Sequence, residues 1–234
     1  MCTVSFIPTS ENDFILTSNR DESPFRNTLI PNIYEEDGVK LLFPKDELAG
    51  GTWIGTSDKK RLICLLNGGF ISHVPKKSYR LSRGIIVTHF LKTDDVYGAI
   101  KNFDFKDIEP FTIILVTWES NLKLHELVWD GNQSHFIEKP LKPIIWSSSL
   151  LYSEEIKRKR QIWFSEFLEN QQIITTENLL NFHKTTGEGN NEIDLIMDRG
   201  FVKTKSITQF SSESGVGIMR YEDLKTNLIS QKSI

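Results

Sequence analysis

Residues 1–22, MCTVSFIPTSENDFILTSNRDE, carry the pattern from which the fold is predicted. Two short runs rich in β-branched and aromatic residues, Cys2–Ile7 and Asp13–Asn19, flank a cluster of turn-forming residues at positions 8–12. This arrangement predicts an antiparallel hairpin at the start of the chain. A turn centred near Ser10 sets Cys2 opposite Ser18 or Asn19, because the turn determines which residues of the two strands pair.

Cys2 is the predicted nucleophile. Removal of Met1 would leave Cys2 with a thiol and a free α-amine on the same carbon atom. An α-amine titrates at about pH 7.7–8.0 and a thiol is the strongest nucleophile among side chains, so one residue can supply both base and nucleophile. The alternative is that Cys2 is only a small strand residue near the start of the chain.

The same hairpin brings residues 19–22, Asn-Arg-Asp-Glu, beside the start of the chain. In that place Arg20 can stabilise a thiolate, Asp21 can orient an α-ammonium, and the amide of Asn19 can donate to an oxyanion. Because Arg20 and Asp21 are adjacent, they face opposite sides of a continuous strand and both serve Cys2 only where the backbone bends. Without a bend, Arg20 is the residue predicted to be functional. The alternative is a charged strand end that enters solvent.

A second hairpin is predicted from Thr52–Thr56 and Arg61–Asn67, which flank a polar turn. Its register sets Asn67 opposite Gly50-Gly51, and the two glycines at 68 and 69 leave backbone N–H groups near open space. An amide beside such N–H groups predicts an oxyanion site. An ordinary Asn-Gly turn is the alternative.

Further polar positions are predicted to line a substrate site. Ser148 lies in a run of serines that follows a predicted strand, where it can offer a hydroxyl to a cleft, although such a run is also typical of a loop. Ser206 alternates with Thr204 and Thr208 along another predicted strand, so these three side chains share one face. The predicted substrate-binding set is Asn19, Trp53, Ser148 and Ser206.

The rest of the chain alternates blocks of strands with blocks of helices. Caps and apolar periodicity predict four helices: Ser82–Lys92, Asp94–Phe103, Ser153–Glu169 and Thr176–Lys184. This block order is typical of an α+β fold in which helices cover antiparallel sheets. The basic run at residues 157–160 is predicted to form a solvated helix face, because the other face of that helix is apolar.

The composition is that of an ordinary globular protein. The 234 residues carry 28 Lys and Arg against 31 Asp and Glu, a net charge of −3 that offers no basic footprint for nucleic acid. Two cysteines cannot form a disulfide framework, and the five histidines show no metal-binding spacing, so no metal and no cofactor are predicted. Without an evident signal peptide or apolar span, residues 1–234 are predicted to form a single cytoplasmic domain without stable membrane insertion.

The ordered segments resemble the NRDE family, also called the transport and Golgi organisation protein 2 family. The segments are Met1-Cys2, Asn19-Arg20-Asp21-Glu22, Gly50-Gly51-Thr52-Trp53-Ile54-Gly55, Leu65-Leu66-Asn67, Ser82-Arg83-Gly84 and Lys205-Ser206-Ile207-Thr208. The resemblance implies an N-terminal-nucleophile hydrolase fold, a four-layer αββα sandwich of two antiparallel sheets between helical layers. It also implies Cys2 as the nucleophile, Arg20 and Asp21 as its neighbours, and Asn67 as an oxyanion donor.

The predicted function is an N-terminal-cysteine hydrolase or acyl transferase that cleaves an amide or thioester bond of a small substrate. The alternative is a non-catalytic binding or trafficking protein for haem or an acylated cofactor. The resemblance carries that alternative, because family members are associated with Golgi and secretory organisation and with lipid and haem handling. The expected partner is a small molecule, such as haem or an acyl compound, and not nucleic acid.

Overall fold

The computed structural model describes residues 3–234, so Met1 and Cys2 lie outside the described residues. The described chain forms two compact units. The first contains residues 3–26 together with Lys142–Ser233, and the second contains Asn27–Leu141. The assignment of the whole chain to a single domain stays a prediction.

Residues 3–234 contain thirteen strands and four helices. The strands are β1 (Thr3–Pro8), β2 (Phe14–Glu22), β3 (Thr28–Glu36), β4 (Val39–Asp46), β5 (Ile54–Ser57), β6 (Arg61–Asn67), β7 (Phe111–Thr117), β8 (Lys123–Trp129), β9 (Ser134–Lys139), β10 (Ile144–Ser147), β11 (Lys203–Glu213), β12 (Val216–Asp223) and β13 (Ile229–Ser233). The helices are α1 (Arg83–Lys92), α2 (Val96–Asn102), α3 (Glu154–Glu169) and α4 (Thr176–Thr185).

All four predicted helices are confirmed, and side-chain caps account for the starts of three of them, whereas Ser82 before α1 forms no side-chain cap hydrogen bond. Asp95 accepts a hydrogen bond from the backbone N–H of Gly98 at the start of α2, and Ser153 accepts one from Ile156 at the start of α3. Thr175 and Asn178 form a reciprocal capping box at the start of α4. These side chains satisfy backbone donors that a helix start otherwise leaves without partners.

The first unit is built on a six-stranded antiparallel sheet with the strand order β10-β1-β2-β11-β12-β13. One face of this sheet carries α3 and α4. Ile7 and Ile15 of the sheet pack there with Phe164 of α3 and Phe182 of α4. Because side chains alternate along a strand, the odd-numbered residues of β2 share the helix-covered face with Ile15, and the even-numbered residues point to the other face.

The predicted first hairpin forms, but its predicted register is wrong by one or two residues. Thr3 pairs with Asn19, and the ladder runs to Pro8 opposite Phe14. The turn is longer than expected because Ser10 accepts hydrogen bonds from the backbone N–H groups of Asn12 and Asp13. These bonds move the centre of the turn past Ser10 and shift every pair of the ladder.

The second unit is built on a seven-stranded antiparallel sheet in which β3 to β9 follow one another in chain order. The register predicted for the β5–β6 hairpin is confirmed, with Ser57 opposite Arg61 and Ile54 opposite Cys64. Strands β3 and β4 were not predicted. The sequence does contain a signal for them, since Asp37-Gly38 connects the two strands and both residues have the positive φ of a tight hairpin turn.

Two family segments meet in the second unit through a close backbone contact. The start of α1 lies against the turn before β5, and the backbone N–H of Thr52 donates to the carbonyl of Gly84. A Cβ at Gly84 would lie 2.9 Å from the carbonyl oxygen of Thr52, and a Cβ at Gly51 would collide with the backbone of Gly84. The glycines are therefore required because any side chain would separate α1 from the sheet.

We predict that Gly51→Ala lowers the free energy of unfolding by about 3 kcal/mol, because the added methyl group meets backbone atoms that cannot move aside. Urea denaturation of the purified variant measures this loss. Gly38→Asn is the control, since Gly38 has a φ of +77° with no atom near its Cβ position, and asparagine tolerates that backbone region. An equal loss in both variants would contradict the contact argument.

Candidate active site

The candidate site is centred on β2 of the first unit, where Arg20 and Asp21 are both buried. Strand β2 continues without interruption to Glu22, so the two side chains point to opposite faces of the sheet. The irregularity lies in the partner strand instead, as a bulge between Thr204 and Ser206 of β11. The bend in β2 that would turn both side chains to the same face is therefore not present.

Asp21 lies on the helix-covered face and accepts hydrogen bonds from two buried hydroxyls. The phenol of Tyr152 donates to Oδ2 over 2.7 Å, and the hydroxyl of Thr204 donates to Oδ1 over 2.6 Å. The same Thr204 oxygen accepts a hydrogen bond from the backbone N–H of Met197. Each carboxylate oxygen thus has a donor, which holds the side chain in one orientation.

Arg160 of α3 connects Tyr152 with the start of β1. Its guanidinium lies over the ring of Tyr152, 3.7 Å from the ring centroid, and donates to the hydroxyl of Thr3. Its Nε and Nη2 groups donate to the backbone carbonyls of Ile193 and Asp194. A fully buried arginine is costly unless its donors are satisfied, and here one side chain orders the first described residue and the Tyr152 ring together.

Asn19, predicted to bind substrate, takes part in a fully buried network. Its Nδ2 donates to the carbonyls of His183 and Leu195, so its Oδ1 is the acceptor for His183 Nδ1 at 2.7 Å. The other ring nitrogen of His183 then accepts from the hydroxyl of Ser5, also at 2.7 Å. These contacts give Asn19 a structural part in joining α4 to the sheet, and its substrate-binding role stays a prediction.

Arg20 points to the face of the sheet opposite the helices, where it lies across from Ser206. The bulge residue Lys205 approaches the same region and donates to the carbonyls of Pro24 and Arg26 at 3.0 and 2.6 Å. Burial and then the positive charge of Arg20 lower the pKa of Lys205. The carboxylates of Asp223 and Glu22 act on Lys205 in the opposite direction, so charges of both signs lie near this side of β2.

The other predicted site residues are distributed over both units. Ser148 of the first unit is buried in the turn after β10, and its carbonyl accepts from the backbone N–H of Tyr152. In the second unit, Asn67 ends β6 opposite Phe111, and Trp53 is buried before β5. The β5–β6 ladder ends at Ile54 and Cys64, so the expected position of Asn67 opposite Gly50-Gly51 lies beyond it and stays a prediction.

Sequence reasoning missed Tyr152, Arg160 and His183. The interpretation of residues 157–160 as a solvated face is wrong for Arg160, which is fully buried. A signal was present, since Arg160 is four residues before Phe164 and therefore lies on the same face of α3 as that core residue. Nothing in the sequence pattern identifies the partners of Tyr152 and His183, which depend on tertiary contacts.

Two further observations concern what the described chain can bind. Within residues 3–234, no group of three or more His, Cys, Asp or Glu side chains is arranged to hold a metal ion. Likewise, none of the helices in these residues combines the length and apolar character that crossing a membrane requires.

Several solved structures have a similar fold. Conjugated bile acid hydrolase from Clostridium perfringens matches with a TM-score of 0.62 and 10% identity, over 99% of this chain and 92% of that chain. The N-acylethanolamine-hydrolyzing acid amidase ortholog from Caenorhabditis elegans matches with a TM-score of 0.60 and 12% identity. The match covers 89% of this chain and 92% of that chain. Penicillin V acylase from Agrobacterium tumefaciens matches with a TM-score of 0.50 and 8% identity. The match covers 100% of this chain and 86% of that chain.

These matches and the two antiparallel sheets with their helices confirm the predicted α+β class, and the protein has an N-terminal-nucleophile hydrolase fold. The chain belongs to the family Transport and Golgi organisation 2, whose model matches residues 1–214. The family resemblance seen in the ordered segments is thereby confirmed. None of the curated proteins matches the sequence significantly.

We predict that His183 makes the protein less stable as the pH falls. Complete burial, with a smaller effect of the Arg160 charge, lowers the pKa of His183 from 6.5 to about 3. Because the unfolded chain binds the proton first, this stability is present above pH 6.5 and is lost as the pH falls from there towards 3. Between pH 7.5 and 5 the free energy of unfolding should decrease by about 2 kcal/mol from this residue.

Urea denaturation at a series of pH values measures the effect. His183→Gln removes the titrating group, so the variant should lose about 2 kcal/mol less over the same pH range, although it starts from a lower stability. The same pH dependence in both proteins would show that His183 is not the source.

Proposed function

We propose that this protein is an N-terminal-cysteine hydrolase that cleaves an amide or thioester bond of a small acyl substrate. Cys2 is the nucleophile once Met1 has been removed. Arg20 stabilises its thiolate, and Asp21 orients its α-amine. The observation that carries the proposal is the register of β1 on β2, in which Thr3, the residue after Cys2, pairs with Asn19, the residue before Arg20.

The opposite orientations of Arg20 and Asp21 are compatible with this chemistry. An N-terminal cysteine offers two reactive groups, a side-chain thiol and a backbone α-amine, and these leave its Cα in different directions. A cation on the thiol face and a carboxylate on the other face can therefore serve the sulfur and the amine separately. The proposal thus needs no bend in β2.

The proposed reaction has two stages. The α-amine takes the thiol proton, the thiolate forms a bond to the acyl carbon, and the bond to the leaving amine or thiol breaks while that group receives the proton. Water then attacks the thioester, passes a proton to the α-amine, and the carbon–sulfur bond breaks to release the carboxylic acid. Asn67 remains the proposed oxyanion donor, and Trp53, Asn19, Ser148 and Ser206 remain the proposed substrate contacts.

The similar solved structures support the reaction class. All three proteins are named for hydrolysis of acylated compounds, as a bile acid hydrolase, an acid amidase and an acylase. A further structure of the bile acid hydrolase, with a TM-score of 0.61 and 10% identity, is a variant in which the cysteine at position 2 is replaced by alanine. A cysteine therefore stands at the same second position in that enzyme and in this chain. We propose the cytoplasm as its location, where a thiol nucleophile stays reduced.

We predict that an electrophilic acyl probe, such as a p-nitrophenyl ester, labels Cys2 of the wild-type protein. Cys2→Ala should abolish labelling and leave the denaturation midpoint unchanged, whereas Cys64→Ala should retain labelling because Cys64 is buried in the core. Intact mass and peptide mapping measure the label and also report whether Met1 is removed.

A wild-type protein that is never labelled, or that retains Met1, would contradict the enzymatic proposal. Those outcomes would favour the non-catalytic alternative, a carrier of haem or an acylated cofactor. Titration with haem, followed through the Soret band, distinguishes the carrier directly.

We predict that Tyr152→Phe slows acylation of Cys2 about tenfold. The variant keeps the ring on which Arg160 stacks but removes the hydroxyl that donates to Asp21, and a hydrogen bond to a charged group contributes about 1.5–3 kcal/mol. The labelling rate at pH 7 measures the effect. A matched control is Tyr97→Phe, which removes a hydroxyl that hydrogen-bonds to Thr117 in the second unit. Equal labelling rates for wild type and Tyr152→Phe would show that Asp21 needs no positioning by Tyr152.

A further inference from the structure

Residues 68–82 connect β6 to α1 as a loop that forms no helix or strand. Connections of this length without secondary structure are uncommon in compact domains, and they usually carry a function or are disordered. Both ends of this loop are bound to the segment before β7. The backbone N–H of Gly68 donates to the carbonyl of Pro110 over 3.0 Å, and the backbone N–H of Arg80 donates to the carbonyl of Asp107 over 2.8 Å.

Side chains fix the middle of the loop to the same segment, residues 104–110. One carboxylate oxygen of Glu109 lies 3.2 Å from Nε2 of His73, and the other oxygen pairs with Arg83 at 3.0 Å. One carboxylate thus connects the middle of the loop to the start of α1. The loop therefore has a defined conformation, in which its outer side chains are held away from the core.

Large apolar side chains lie on the outside of this loop. The exposed fractions of Phe70, Ile71 and Val74 are 51%, 79% and 90%. Phe70 also packs edge-on against the ring of His135, with 4.9 Å between the two centroids, so its position is fixed. A single exposed apolar residue is ordinary, but three within five positions of a fixed loop indicate a surface that another apolar phase covers. We call these three side chains the apolar tip of the loop.

Positive charge accompanies the apolar tip. Between Asp58 and Asp94 the sequence contains eight Lys and Arg and no Asp or Glu, although the whole chain has a net charge of −3. Lys76 and Lys77 directly follow the apolar tip in the loop, and both are exposed. The loop therefore combines apolar side chains with neighbouring cations.

The acidic groups near the loop reduce this charge without cancelling it. Lys76 lies 3.4 Å from the carboxylate of Asp107, and Arg80 lies 3.6 Å from that of Asp104. Such exposed ion pairs contribute little and are easily exchanged for other partners. Residues 68–83 and the segment before β7 together carry five Lys and Arg against three Asp and Glu. This part of the surface is therefore positive and attracts an anionic partner.

The combination favours a lipid bilayer over a protein as that partner. Lysine is depleted at the cores of protein–protein interfaces, whereas a membrane surface accepts apolar groups at the boundary of its acyl chains and lysines among its headgroups. The long stems of Lys76 and Lys77 can lie along an apolar surface while their ammonium groups stay in the polar layer. Each lysine near an anionic bilayer strengthens binding about fivefold.

We propose that the loop at residues 68–82 docks this protein reversibly onto anionic lipid bilayers. The apolar tip enters the interfacial region of the bilayer, and Lys76 and Lys77 bind the anionic headgroups. Docking of this kind needs only the depth of the headgroup layer. It does not depend on the reaction proposed for Cys2, since every residue that carries it lies in the second unit.

Co-sedimentation of the full chain with lipid vesicles tests the proposal. We expect binding to phosphatidylcholine vesicles that contain about 30% phosphatidylserine, and release from them in about 0.5 M salt. Binding to pure phosphatidylcholine vesicles should be at least about tenfold weaker. A protein that binds neither kind of vesicle, or both equally well, would overturn the proposal, whatever the outcome of the Cys2 labelling experiment.

Matched substitutions test which residues make the contact. Ile71→Ser should weaken binding to the anionic vesicles about tenfold, because it removes an apolar side chain from the tip. Ile173→Ser is its control, since Ile173 is 76% exposed in the first unit. Lys77→Ala should weaken binding about fivefold, and Lys225→Ala is the exposed control. All four variants should keep the urea midpoint of the wild type, and equal binding by a variant and its control would show that the loop is not the docking surface.

Hydrogen exchange locates the contact and separates it from a protein interface. Peptides that cover residues 70–77 should take up deuterium more slowly when anionic vesicles are present, and peptides around Ile173 should not change. A chain that dimerises through this loop would instead show the same protection at high protein concentration without vesicles, and Ile71→Ser would make it monomeric. That result would overturn the lipid proposal and assign the loop to a second copy of the chain.

Discussion

The first unit depends on a single constraint: a run of five polar residues, 17–21, lies buried in an interior strand of its sheet. Each polar group in such a place must find a partner, because leaving it without one costs more than most packing contacts contribute. The alternation of strand side chains then divides the run between two faces. The polar groups of residues 17, 19 and 21 must form hydrogen bonds with the helical layer and β11. The polar groups of residues 18 and 20 must form theirs with groups on the other face.

The helical layer of the first unit is organised around this requirement. Asn19 binds the end of α4 through His183, and Asp21 binds Tyr152 at the approach to α3. Arg160 completes the arrangement, because its guanidinium stacks on Tyr152 and also donates to Thr3. Positions that differ by more than a hundred residues in the sequence are thereby held within hydrogen-bond distance. Such a network holds the carboxylate of Asp21 in one orientation.

The similarity to known hydrolases establishes the fold but leaves the chemistry to be argued from the residues. At 8–12% identity, the shared fold says nothing about which substrate is bound. What the residues add is an asymmetry across β2. On its helix-covered face, protein groups form hydrogen bonds with the polar atoms of Asn19 and Asp21, whereas its other face carries Arg20, with Lys205 nearby.

The sequence by itself determined the α+β class, the four helices and the family. These follow from local propensities, helix caps and short ordered segments, which act over a few neighbouring residues. It did not determine the hairpin register, since two hydrogen bonds to Ser10 lengthened the turn and moved every pair. Strands β3 and β4 were missed although Asp37-Gly38 connects them.

Only the tertiary structure decided the partners of the buried polar groups. Arg160 reads as part of a basic surface run, yet it is buried because its position on α3 is that of a core residue. His183 looks like an ordinary helix residue, yet Ser5 and Asn19 hold both of its nitrogens. The reason is physical: a buried hydrogen bond joins groups that are distant in the chain, and no local pattern records which distant group will be the partner.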